Sequence, residues 1–229
     1  TFPTVLSVDV ALITETWLTE SCSVTTACIK SYGYGILHNF RSDRRGGGTA
    51  IIYKSAISTS TVTLGVNDID TFGYTCMQLK CCSDVKVLVI CLYRTGPVVE
   101  LFFTQLNDLL QAASLRSDYV IICGDFNIHT ELSSSREVVK LFKVTESFSY
   151  CQLVHDSTHL QGGTIDPVFD NSNLIDLQSV TVHNYLNMSD HFPVVFQTKS
   201  LAISSKITKM IQSRCLKEID HTILSEDLT

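Results

Sequence analysis

The stretch VIICGDFNIH, Val120–His129, decides how the rest of the chain is read. Three apolar residues and a cysteine are too few for a helix and dense enough for a strand buried on both faces. The run then breaks into Gly-Asp-Phe-Asn. Asp125 and Asn127 are two residues apart, so on a continuing strand their side chains would share a face. The plainer reading is turn chemistry, since Asp and Asn readily bond their own backbone.

Working outward, SVDVALITETW reads as another buried strand. GYGILHNF and TAIIYKSA read as a hairpin closed by SDRRGGG, and YTCMQLKCC and VKVLVICLY as a second pair around SDVK. VVELFFTQLNDLLQAASL, just after Gly96-Pro97, has Leu101, Phe102, Leu106, Leu109 and Leu110 at helical spacing. SSREVVKLFKVTESF is a second amphipathic helix, entered through serines that can cap it. TIDPVF, SVTVHN and FPVVFQT complete the strands. Strands come first as hairpins, then with helices between them, which predicts an α/β sandwich with helices outside the sheets. From about Leu201 the pattern loosens. We expect one domain over residues 1–200 and a polar linker or tail over 201–229.

The chain has 229 residues and a net charge of −6. That charge argues against bulk electrostatic capture of nucleic acid. A local basic patch does exist, Arg41, Arg44, Arg45 and Lys54, and reads equally as a phosphate contact or as a solvated turn. No apolar run reaches the ~20 residues of a membrane span. The nine cysteines include no C-x-x-C pair. Buried reduced thiols in an intracellular protein fit them better than a disulfide framework or a zinc site.

Polar residues gather at the ends of the predicted strands: Glu15 after VALIT, Tyr93 after VLVICL, Asp125 and Asn127 after VIIC, Asp166 in GGTIDPVF, and Asp190-His191 before FPVVF. Each alone has an ordinary explanation, a solvated Glu, a packed Tyr or a polar cap. Together they make a hard-oxygen metal site with an acid/base residue beside it. Carboxylates suit Mg²⁺, which keeps several waters, and a histidine alongside suits hydrolysis of a phosphate ester. His129 reads as a loop cap, and His155 and His159 are left out of the site.

In order, ALITETWL, GGGTAIIYK, VICLYRTGP, VIICGDFNIH, GGTIDPVF and SDHFPVVF resemble the endonuclease/exonuclease/phosphatase superfamily. Within it they are similar to the apurinic-endonuclease-like domain of non-LTR (LINE-type) retrotransposons. The resemblance spans about residues 5 to 200. It implies a DNase I-like four-layer α/β sandwich, two packed mixed β-sheets flanked by helices. It implies Glu15 and Asp190 on the side of a Mg²⁺ ion, with Mn²⁺ as an alternative. Asp125 would position or deprotonate water, Asn127 would donate to a phosphate oxygen, Tyr93 would contact the scissile phosphate, and Asp166 would orient an acid/base His191. Arg44, Arg45 and Arg94 would contact DNA. The implied product is a nick with a 3′-hydroxyl that primes reverse transcription by a fused domain, in the nucleus and away from membranes. A second histidine near Tyr93, expected of secreted relatives, is missing. Three departures stand out. An early strand carrying an Asn is not seen, Thr95-Gly96 replaces Pro-Pro after Arg94, and Pro167 is expected to remove a ladder donor beside Asp166. They suggest an inactive truncated remnant as one alternative; a phosphoesterase of the same fold acting on another substrate is the other.

Overall fold

The computed structural model describes residues 8–40, 46–66, 69–81, 85–184 and 189–199. The expected tail over 201–229, Arg44 and Arg45 lie outside the described residues.

The larger sheet is built on three strands that alternate apolar side chains between two cores. These are β5 (Phe72–Lys80), β6 (Lys86–Arg94) and β7 (Tyr119–Asp125). β5 and β6 form the expected antiparallel pair. β6 and β7 run parallel and are joined by α2 (Glu100–Arg116), the predicted helix. Two short strands, β8 (Cys151–Gln152) and β9 (Val168–Asp170), extend the sheet beyond β7, and β4 (Thr59–Thr61) edges it at the other side.

Period-two alternation decides what each strand faces. On β6, Leu88, Ile90 and Leu92 join Phe102, Leu106, Leu109 and Leu110 of α2 in one core. α3 (Arg136–Glu146) closes that core with Val138 and Leu141. Its N-terminus is capped as expected, the Ser135 hydroxyl accepting from the Val138 N–H. Val87, Val89 and Cys91 point the opposite way, with Ile121 and Cys123, into a core shared with a second sheet. Burial raises the thiols of Cys76 to about 11 and of Cys91 to about 12, which makes both poor nucleophiles.

The second sheet has β3 (Thr49–Lys54) at its centre, antiparallel to both β1 (Val10–Thr14) and β2 (Tyr34–Asn39). Separate from it, β10 (Thr181–Val182) and β11 (Val194–Val195) form a two-residue ladder. The packed-sheet architecture is the expected one, but only the six-stranded sheet is mixed; the others are antiparallel. α1 (Ser23–Ser31), lying against β2, was not anticipated. It has no buried residue, so it leaves no apolar stripe to be read in the sequence. No described helix is long and apolar enough to cross a membrane.

Between the free edges of β1 and β11 opens a cleft of about 1130 Å³, floored by Val89, Cys123 and Val168 of the large sheet. Its polar end is lined by Glu15, Asp166, Asp190 and His191.

Candidate active site

The inner face of the large sheet carries the site because that face runs out of apolar residues at one rim. Tyr93 and Asp125 are in register across the β6–β7 pair. By alternation they continue the inward rows Val87-Val89-Cys91 and Ile121-Cys123. Both are buried. β1 crosses above β6, with the Cys91 thiol directed at the Ile13 carbonyl, so Glu15, just past the end of β1, arrives over Tyr93. The Tyr93 hydroxyl donates to the Glu15 carboxylate.

The turn that delivers Glu15 is conformationally costly. Glu15 and Trp17 hold φ of 51° and 54°, the left-handed region that residues with a Cβ avoid. The N–H of Trp17 donates to the Gly47 carbonyl at 2.9 Å and that of Thr16 to Gly48 at 3.4 Å. A Cβ on Gly48 would meet the Thr16 hydroxyl at 2.8 Å. The glycine run of the predicted hairpin turn therefore holds the Glu15 loop.

Asp125 and Asn127 come together, but not along one strand face. β7 ends at Asp125, and Asn127 takes φ of 48°. The Asn127 backbone N–H donates to Asp125 Oδ1 at 2.8 Å and its side-chain amide to Oδ2 at 2.9 Å. The same amide nitrogen donates to the Arg94 carbonyl at 2.8 Å. Both amide N–H groups are thus engaged, and Asn127 serves as the cradle of Asp125 in this arrangement. A contact to a phosphate oxygen would require one of these bonds to break.

Arg94 corrects a sequence expectation. It is 2% exposed and turned inward. Its Nε donates to the Phe126 carbonyl, its Nη1 to Gly96 at 2.6 Å and its Nη2 to Asn127 at 2.7 Å. The guanidinium also lies over the Phe102 ring. A buried cation satisfied by three carbonyls pins the GDFN loop and is not presented to DNA. Hydrogen bonds from a charged donor contribute about 1.5–3 kcal/mol each, so the loop is firmly fixed.

Facing Asp125 is the expected pair. His191 Nδ1 lies 2.9 and 3.1 Å from the two oxygens of Asp166. Pro167 stands just ahead of β9 and takes no ladder donor from it. Hydrogen bonding to Asp166 raises His191 to about 9. Asp125 is pushed up to about 7, first by burial, then by the Asp166 charge and less by Glu15, with Asn127 and His191 opposing. A buried carboxyl poised near neutrality and an imidazolium beside it mark an acid/base site. His129, as expected, serves its loop: its Nδ1 meets Glu131 at 2.8 Å, and Glu131 accepts from the Thr164 N–H.

His159 is the residue that sequence reasoning left out. It forms an isolated antiparallel bridge with His191. Its Nε2 is 3.4 Å from the exposed Asp190 carboxylate, and the two imidazoles meet edge to face at 4.9 Å between centroids. Only the GGTID and SDH motifs flank this bridge, and no spacing rule would pair Thr158-His159 with them. His159, Asp190 and His191 can place one ligand atom each within 4.8 Å of one another. However, His191 Nδ1 is committed to Asp166 and His159 Nδ1 accepts from the Gln161 N–H at 3.2 Å. The carboxylates of Glu15 and Asp190, oxygen donors with exposed faces on the cleft, are the better match to the hard-oxygen preference of Mg²⁺.

The Asp125 shift has a consequence for stability. Its folded value, about 7, lies above the ordinary 3.8 of an aspartate. The associated stabilisation is therefore present below pH 4 and lost as pH rises through 7. Urea denaturation in EDTA should show roughly 2–3 kcal/mol lost to this group between pH 5 and 8. Asp125→Asn should lack that component. An identical pH dependence in the variant would show that Asp125 ionises normally.

A family model described as the endonuclease/exonuclease/phosphatase family matches residues 3–191. Among curated proteins none matches the sequence. Solved structures share the fold at low identity. An AP endonuclease from Archaeoglobus fulgidus superposes with a TM-score of 0.64 at 15% identity, covering 86% of this chain and 91% of its own. A 3′ phosphatase from Neisseria, bound to a product DNA hairpin, gives 0.62 at 16%, covering 86% and 94%. The catalytic domain of APE2 from Xenopus laevis gives 0.56 at 15%, covering 88% and 87%.

Proposed function

The chain belongs to the endonuclease/exonuclease/phosphatase family, and from its site we propose that it is a Mg²⁺-dependent endonuclease that nicks DNA. The observation that carries the proposal is the facing pair of acid/base groups: Asp125, raised to about 7, and the Asp166–His191 couple, with His191 raised to about 9. Glu15, bonded by Tyr93, and Asp190 stand at the same cleft. Fold neighbours that include an AP endonuclease and a DNA-bound 3′ phosphatase support a nucleic-acid phosphate as substrate.

The residues divide the work. Asp125, held by the two N–H groups of Asn127, accepts the proton of the attacking water. At neutral pH enough of it is ionised to serve as base and it is basic enough to take a proton. His191, protonated and oriented through Nδ1 by Asp166, presents Nε2–H to the phosphate, offsets the charge that builds there and gives that proton to the 3′-oxygen that leaves as its bond to phosphorus breaks. Tyr93 keeps Glu15 in place. Mg²⁺ held by Glu15 and Asp190 would supply Lewis-acid stabilisation of phosphate charge.

The finer reading is a retrotransposon endonuclease. The run from ALITETWL to SDHFPVVF supports it, and the 3′-hydroxyl left by the nick would prime a reverse transcriptase, with DNA reached in the nucleus. The alternative of an inactive remnant rests on the open cleft between β1 and β11, whose floor is apolar.

Three substrates separate the readings: supercoiled plasmid, a duplex ending in a 3′-phosphate, and a small phosphodiester, each with Mg²⁺. The proposal expects plasmid nicking to dominate. Turnover of the 3′-phosphate or the small diester with plasmid left intact would instead favour the phosphoesterase. A cooperatively folded chain inactive on all three is the remnant.

A further inference from the structure

We infer that His159 is a positioning residue of this site: its imidazole holds the Asp190 carboxylate and buttresses His191 by ring contact. The inference rests on the nuclease reading and names a residue outside the family motifs quoted above.

The tripeptide Thr158-His159-Leu160 is laced to both halves of the site. The Leu160 N–H donates to the Asp190 carbonyl and the Phe192 N–H to the Thr158 carbonyl, both at 2.7 Å. These bonds bracket His159 opposite His191. The buried Thr158 hydroxyl accepts from the N–H groups of Ile165 and Asp166 at 3.0 and 3.1 Å. One short segment thus fixes the backbone of Asp166, which orients His191, and the backbone on both sides of His191 itself.

The side chain of His159 completes the arrangement. It is 14% exposed, whereas Asp190 is 67% exposed. Because the Gln161 N–H points at Nδ1, the neutral ring must carry its proton on Nε2. That N–H is 3.4 Å from Asp190 Oδ2. The tautomer set by one backbone N–H therefore turns the Nε2–H edge of His159 toward Asp190 at a long 3.4 Å contact, in the way outer partners orient the groups that touch substrate or ion. The edge-to-face contact at 4.9 Å and 80° gives the His191 ring a packing neighbour besides Asp166. Asp190, an exposed carboxylate, accepts from its own backbone N–H and has His159 as a second neighbour.

The experiment pairs activity with ring-nitrogen NMR on the full chain. His159→Leu should lower kcat for plasmid nicking about ten-fold, with KM little changed. His159→Gln, whose amide nitrogen reaches the Nε2 position, should recover most of the loss. His159→Asn, whose amide nitrogen sits at the Nδ1 position, should not. Equal behaviour of the Gln and Asn variants, or an unchanged kcat in His159→Leu, would overturn the inference. If the Leu variant fails to fold, the Gln/Asn pair carries the comparison. NMR separates this inference from the nuclease reading. Whether or not the wild type nicks DNA, His159 should show an unprotonated Nδ1 and a protonated Nε2. The His191 ring signals should also move in His159→Leu. A protonated Nδ1 on neutral His159, or unmoved His191 signals, contradicts it.

Discussion

Gly124→Ala should cost at least about 4 kcal/mol of folding stability, among the largest effects of any single methyl group. Gly124 has φ of 141°, and a Cβ there would lie 1.9 Å from the Leu92 carbonyl oxygen and 2.9 Å from its carbon and nitrogen. Those are backbone atoms of the paired strand β6, so no rotamer change relieves the clash. Either β7 separates from β6 or the loop carrying Asp125 is displaced. Urea denaturation of the purified variant reads the loss, and recovery in inclusion bodies alone would agree with it. A variant within 1 kcal/mol of the wild type would mean that the β6–β7 approach is looser than described.

His191→Ala should lower plasmid nicking about 10³-fold, in the range of a lost acid/base group. It should also lower the melting temperature moderately, because the hydrogen bond to Asp166 that raises His191 is lost, although the side chain is 31% exposed and outside both cores. Asp166→Asn should cost less, about 10- to 100-fold, since it removes orientation and not the reacting group. Equal nicking by His191→Ala and wild type, with comparable DNA binding, would remove His191 from the reaction.

The sequence made the strands legible where burial follows a simple period. Val87, Val89 and Cys91 against Leu88, Ile90 and Leu92 carry the two cores of the sandwich in one strand. It also placed Glu15, Tyr93, Asp125, Asp166 and His191 at strand ends, and the structure gathers them at one rim. It did not reveal which way a charged residue turns. Arg94 closes β6 just before a polar loop, which suits a surface contact equally well; only packing shows three carbonyls waiting inside. Strand alternation puts Asn127 on the face of Asp125, but the strand stops at Asp125 and a left-handed residue brings the amide back onto the carboxylate. Pro167 falls within the strand that TIDPVF predicts, but β9 begins one residue later. His159 was invisible for a deeper reason. Its role comes from a bridge across 32 positions to His191, and nothing in the local pattern of STHLQGG announces that pairing. The short ladder Thr181–Val182 with Val194–Val195 is likewise a remnant of two longer predicted strands.

The central claim is that Asp125 and His191 form one hydrolytic site for DNA. The most direct measurement is conversion of supercoiled plasmid to open circle in Mg²⁺, followed by polymerase extension from the nick. The wild type should nick, EDTA should stop it, the nick should be extended without end repair, and the Asp125→Ala, His191→Ala double variant should be inert. Nicking that persists in the folded double variant would contradict the account, as would a wild-type nick that polymerase cannot extend.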